Sequence, residues 1–213
     1  MNLDLNQLVK WRREFHRFPE IGWSEFWTTS RIADYLEDLD CFEIFLGKQI
    51  INPDFVRGRK QAVVDKGLAN AKAYGANEKW LEKMEGYTGC VALFDSGKPG
   101  KTIALRFDID CVNVTETRSS EHIPNKEGFA SINDGFMHAC GHDSHITIGL
   151  GVALWIAQNK DKLTGKVKIV FQPAEEGVRG AAAIAQSGII DDADYFASSL
   201  ISFCANTGTV IAN

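Results

Sequence analysis

The chain has 213 residues, 45% of them hydrophobic, with a formal net charge of −5. That is material for one sizeable α/β domain burying about 70% of its unfolded surface. The acidic balance and the lack of a Lys/Arg cluster exclude a nucleic-acid or anionic-membrane partner. No apolar run is long enough for a membrane span and no basic-then-apolar leader opens the chain, so the cytoplasm is the expected compartment.

From the N-terminus, Leu5, Leu8, Val9 and Phe15 recur at helical spacing and predict a helix ending at Pro19. His16 and Glu20 lie in Arg12-Arg-Glu-Phe-His-Arg-Phe-Pro-Glu20 and read as solvated helix charges, with a role near a site as the other option. A second helix is expected from Ser24 as N-cap, with Glu25 in its first turn, through Leu39. Residues 47–85 change texture: two amphipathic helices, over 60–74 and 78–85, form what reads as a surface insertion without chemistry.

Cys90-Val-Ala-Leu-Phe94 and Lys101-Thr-Ile-Ala-Leu-Arg-Phe107 flank a Ser-Gly-Lys-Pro-Gly turn and predict a hairpin feeding a central strand. Asp108 and Asp110 follow that strand, where open α/β sheets place their ligand crevice. Residues 111–134 are polar and irregular, as a long loop over the site. A strongly apolar helix follows His145, then a strand at 166–171, a small-residue helix at 180–187 closed by Gly188, and two further strands at 195–203 and 209–212. The fold class is α/β, a mostly parallel central sheet with helices on both faces and the site at the carboxyl ends of the strands.

The chemistry concentrates in Gly135-Phe-Met-His-Ala-Cys-Gly-His-Asp-Ser-His145. Cys140 and His142 are two apart, so in an extended segment a thiolate and an imidazole leave the same face and can close on one cation. Cys140 as a small buried hydrophobe is the competing reading. Phe171-Gln-Pro-Ala-Glu-Glu176 and Arg106-Phe-Asp-Ile-Asp110 each follow an apolar run, so six donors, Asp108, Asp110, Cys140, His142, Glu175 and Glu176, reach one side of the sheet. Of two adjacent glutamates one can bind metal while its neighbour handles a proton. A thiol redox role for Cys140 lacks a resolving partner, and the five scattered cysteines form no disulfide framework.

At these motifs, and at Glu127-Gly-Phe-Ala-Ser131, the chain resembles the aminoacylase/carboxypeptidase superfamily of dinuclear metallohydrolases. Within it the likeness is to the amidohydrolases that include hippurate, plant auxin-conjugate and aminobenzoyl-glutamate hydrolases. The resemblance implies hydrolysis of an N-acyl or N-aroyl amino acid. It implies Cys140, His142 and Glu176 as ligands of zinc or manganese, Glu175 as general base on the bridging water, and Asp108 as a supporting acid. The family's pattern has a histidine ligand about where Leu200 stands, and relatives continue through a lid domain to a later histidine. The resemblance therefore covers the first part of a catalytic domain over 1–213 and implies one metal ion or fewer in place of two. It leaves two readings, an amidohydrolase that self-associates or is completed by another chain, and a catalytically dead remnant. An unpaired strand edge near 209–212 is the expected contact surface.

Overall fold

The computed structural model describes residues 4–202 and 205–211. Helix α1 (Leu5–Arg17) starts on Asp4, whose carboxylate accepts the Asn6 N–H at 3.0 Å, and ends with His16 and Arg17 in its last turn, where cations suit the helix dipole. Its buried face, Trp11 and Phe15, meets α2 (Phe26–Asp38) through an aromatic cluster in which Phe18 stacks on Trp27 at 4.3 Å.

The start of α2 departs from expectation. The Ser24 hydroxyl donates back to the Ile21 carbonyl and leaves the helix uncapped. The Glu20 carboxylate does the capping, accepting the Trp27 and Thr28 N–H groups at 3.1 and 2.8 Å. Glu25 points inward, fully buried, its carboxylate accepting from Thr88 Oγ1 and the Ala174 N–H.

After β1 (Glu43–Leu46) come α3 (Gln61–Ala73) and α4 (Glu78–Lys83). Both helices match the expectation, but the surface excursion expected of residues 47–85 does not hold: Ile50, Ile51, Val64, Ala71, Trp80 and Met84 all join the main core. The sheet is completed by β2 (Cys90–Asp95), β3 (Thr102–Asp108), β4 (Lys166–Gln172) and β5 (Tyr195–Ser198). Between β3 and β4 lie the short α5 (Ile123–Lys126) and the long α6 (His142–Asn159), and α7 (Ala181–Ala185) follows β4.

The strand order is β1-β2-β4-β3-β5. β2 runs antiparallel to β1 and β4, while β3 is parallel to β4 and β5, so four of the five strands share a direction. The expected hairpin of β2 with β3 does not form, because β4 lies between them. The connecting loop straddles the entry to β4: Ser96 N–H donates to the Gly165 carbonyl, and Gly165 and Lys166 donate to the carbonyls of Lys98 and Lys101. Gly165 has φ +73°, and a Cβ there would lie inside the van der Waals shell of the Lys101 carbonyl oxygen. Gly165→Ala is therefore expected to cost about 1–3 kcal/mol in a urea titration. Gly97→Ala in the same loop, with nothing within 4 Å of an added Cβ, is the milder control.

β3 to β4 is one crossover and β4 to β5 runs back past β3, so right-handed connections require their helices on opposite faces. Side chains of β4 alternate accordingly. Phe171 meets Gly149 of α6, while Lys168 reaches the Ile189 carbonyl beyond α7. Such a reversal opens a crevice at the carboxyl ends of β3 and β4. The strand expected at 195–203 ends at Ser198 and Phe203 lies outside the described residues; 209–211 form no strand and Ala212 also lies outside them. β5 is exposed throughout, and Val210 and Ile211 are exposed beyond it.

Candidate metal and hydrolytic site

Asp108 and Gln172, the last residues of β3 and β4, are register partners, so the segments after them leave the sheet side by side. Asp110 ties the two together. Its carboxylate accepts the Glu175 and Glu176 N–H groups, each at 3.0 Å, and fixes the turn that carries both glutamates. From behind, Glu25 accepts the Ala174 N–H at 2.7 Å. Burial and the charge of Asp110 push the Glu25 pKa up. Burial likewise raises Glu20 to about 8 against the pull of its N–H partners.

The third element is the N-terminus of α6, entered through Gly141 at φ +82°. A Cβ there would lie 2.6 Å from Ile201 Cδ1, so glycine admits both the turn and the chain after β5. His142, first in the helix, is almost fully buried and surrounded by acids. Its Nε2 lies 3.6 Å from Asp108, 3.9 Å from Glu175 and 3.8 Å from Glu176, and its Nδ1 lies 3.5 Å from Asp110. That Nδ1 is buried without a hydrogen-bond partner. Burial opposes its protonation, but Asp110, Asp108 and Glu175 together raise its pKa to about 9.

Among the described residues, two sets of three donors each lie within 4.8 Å of one another: His142, Glu175 and Glu176, and Asp108, His142 and His145. Chemistry separates them. His145 Nδ1 meets Asp108 Oδ1 at 2.5 Å while its Nε2 accepts the Ile201 N–H at 2.9 Å, so both ring nitrogens are engaged and the proton sits on Nδ1. Arg106 holds the other oxygen of Asp108 at 2.9 Å. Burial would raise the Asp108 pKa, yet His145, His142 and Arg106 hold it below the usual carboxylate range. Asp108, hydrogen-bonded to His145 and paired with Arg106, is thus a support, and His142, Glu175 and Glu176 are the set with free donors. One imidazole and two carboxylates are donors that a divalent cation takes.

Cys140 is exposed, which removes the buried-hydrophobe reading. It stands outside both donor sets, and the Glu176 carboxylate is the main influence on its thiol. The Glu176 carboxylate, with partial burial and the other nearby carboxylates, pushes the thiol up to about 11. Iodoacetamide should therefore alkylate Cys140 roughly a hundredfold more slowly than an ordinary exposed thiol at neutral pH, and Glu176→Gln should restore the rate, followed by mass spectrometry. Glu175 shifts upward, driven by burial and by Asp108 against the pull of His142.

Leu200 is 74% exposed and offers no donor, although its neighbour Ile201 is bonded to His145. The expectation of solvated charges at His16 and Glu20 fails. His16 is buried, with Nδ1 2.7 Å from Asp143 and Nε2 2.9 Å from Glu116, and Arg12 also reaches Asp143 at 3.1 Å. Glu116 also takes His122 of its own segment at 2.7 Å, and its bond to His16 ties residues 111–134 to α1. His145, Glu116 and Asp143 were not identified as functional from sequence. The only available signal was charged residues beside the His142 motif. His138 is buried with both ring nitrogens unpartnered, and burial lowers its pKa to about 4.

The family described as peptidase family M20/M25/M40 matches residues 104–211. The chain is 99% identical over its whole length to a p-aminobenzoyl-glutamate hydrolase homolog of Haemophilus influenzae, covering 50% of that protein. It is 43% identical over 97% of its length to the indole-3-acetyl-aspartic acid hydrolase of Enterobacter agglomerans, covering 48% of it. The crystal structure of a dinuclear metal-binding peptidase of the M20 family from Bacillus subtilis superposes with a TM-score of 0.66 at 28% identity, covering 91% of this chain and 42% of that one. The chain thus spans about half the length of the curated relatives it matches.

Proposed function

The chain belongs to peptidase family M20/M25/M40, and from that membership we propose a metal-dependent amidohydrolase site that cleaves an aromatic acyl group from an acidic amino acid. The observation that carries the reading is the convergence of His142, Glu175 and Glu176 at the ends of β3, β4 and the start of α6. The substrate class rests on two relatives whose names join an aromatic acyl group to glutamate or aspartate.

His142 and Glu176 hold the cation in this reading, with Cys140 joining once its thiol gives up its proton. A divalent ion there, zinc or manganese by its donors, supplies Lewis acidity and brings a bound water toward a pKa of about 7. Glu175 takes the proton from the attacking water and delivers it to the leaving amine nitrogen, a transfer its raised pKa favours. Asp110 fixes the backbone of both glutamates, and Asp108 with His145 holds the His142 side of the site.

The cytoplasm fits four described cysteines that are all free thiols. Among the described residues no helix is long and apolar enough to cross a membrane. The exposed edge at β5 favours self-association or a completing chain. A second reading, metal binding without turnover, is favoured by Leu200, where a leucine faces solvent beside the His145 contact.

Metal analysis after dialysis and release of p-aminobenzoate from p-aminobenzoyl-glutamate test both readings. We expect one ion per chain or fewer, lost in His142→Ala. Two tightly held ions would overturn the assignment of one free donor set, and metal uptake without release would select the second reading.

A further inference from the structure

The turn after β4 contains a cation that the hydrolytic site does not use. Ala174, Gly177 and Val178 all have positive φ, at 50°, 78° and 58°, and Val178 is a β-branched residue that resists this region. The turn folds back so that Arg179 lies under Glu176, its Nε donating to the Glu176 carbonyl at 2.7 Å.

The side chain has a fitted seat. A Cβ on Gly58 would stand 2.6 Å from Arg179 Cδ, and one on Gly22 would stand 2.7 Å from its Nη2, so two glycines from separate segments make room for it. It is half-buried, and among the described residues no carboxylate lies within ion-pair distance of it. Arg106, the other guanidinium at these strand ends, is committed to Asp108 and Gln172. A half-buried guanidinium held at one nitrogen, with donors to spare, has the chemistry of a carboxylate receptor.

Resting on the substrate class proposed above, we infer that Arg179 selects the acidic amino acid by receiving its side-chain carboxylate. Glu176, whose carbonyl holds Arg179, also sends its own carboxylate toward His142, so the receptor and the hydrolytic centre are built on one rigid turn. The spacing between them then sets which side-chain length fits.

Binding of p-aminobenzoyl-glutamate and of its neutral isostere, N-(p-aminobenzoyl)glutamine, tests this by calorimetry on the zinc-loaded chain. Arg179→Gln is expected to weaken the glutamate ligand about 10- to 100-fold and leave the glutamine ligand within about twofold. Arg179→Lys should keep part of the preference, and Arg179→Glu should shift it toward N-(p-aminobenzoyl)lysine, an exchange that a merely structural residue would not give. Equal weakening of both ligands by Arg179→Gln, or no weakening of either, would overturn the inference while leaving the hydrolase reading standing. If the unaltered chain bound neither ligand, the substrate reading would fall and this inference with it. Melting temperature and circular dichroism confirm that each variant is folded, and Arg179→Lys carries the test where Arg179→Gln does not fold.

Discussion

Exchanging Glu175 for glutamine is expected to lower hydrolysis of p-aminobenzoyl-glutamate by ~10²- to 10⁴-fold while metal content stays where it was. The two adjacent glutamates are held alike by Asp110 at their backbones, yet their carboxylates differ in surroundings. Glu175 is raised above the ordinary carboxylate range and is poised to accept a proton. Glu176 faces His142 at 3.8 Å and bears on the Cys140 thiol, as a carboxylate among ligands would. Glutamine keeps the shape of either residue and removes its charge, so the paired variants divide the roles. Glu176→Gln should reduce metal affinity together with turnover, and Glu175→Gln should reduce turnover alone. Metal loss in Glu175→Gln, measured by atomic emission on dialysed protein, would reverse the two assignments. Where the chain shows no turnover to begin with, Glu175→Gln leaves the rate unchanged and the second reading, metal binding alone, is the one supported.

The second large effect falls on stability. Asp143→Ala removes a fully buried carboxylate on which His16 and Arg12 converge at 2.7 and 3.1 Å, and leaves the buried His16 ring with Glu116 alone and its Nδ1 unpartnered. Breaking such a pair from one side costs ~3–5 kcal/mol, a large share of the ~5–15 kcal/mol that holds a typical domain together. Glu127→Ala breaks only the exposed ion pair with Arg13 and should cost less than ~1 kcal/mol. Denaturant titrations of the two variants compare them directly, and equal midpoints would show that the buried network contributes nothing.

The same network sets a pH dependence. Burial would lower the His16 pKa, but its hydrogen bonds to Asp143 and Glu116 carry it above the ordinary 6.5. Its contribution is therefore complete below pH 6.5 and is lost as the pH rises through the raised value. Asp143 and Glu116 are held below the usual carboxylate range, against burial, by His16 and their other partners. They contribute above their unfolded values and lose that contribution as the pH falls through the depressed ones. Stability from the three groups is greatest between these limbs, and His16→Gln should flatten the alkaline limb in melting temperature against pH.

Local signals carried much of the architecture. The helical repeats of α1, α3 and α6, the apolar runs of β2, β3 and β4, and the acids directly after β3 and β4 are all readable in the sequence, because periodicity and turn chemistry act over a few residues. So were Cys140, His142, Glu175 and Glu176 as candidate donors, although their spacing alone left Cys140 as a small buried hydrophobe open. Sequence could not show that β4 enters between β2 and β3, since a short Gly/Pro turn between two strands ordinarily means a hairpin. Nor could it distinguish a solvated charge from a buried one. His16, Glu20, Glu25 and Glu116 look like surface residues in the chain, and each becomes internal because a partner more than five residues away satisfies it. Arg179 owes its seat to Gly22 and Gly58, well over a hundred residues earlier in the chain. Residue type and spacing determined which atoms this protein can offer to a metal and a proton; tertiary packing decided which of them are free to act, because that depends on desolvation and on partners that only the fold brings within hydrogen-bond distance.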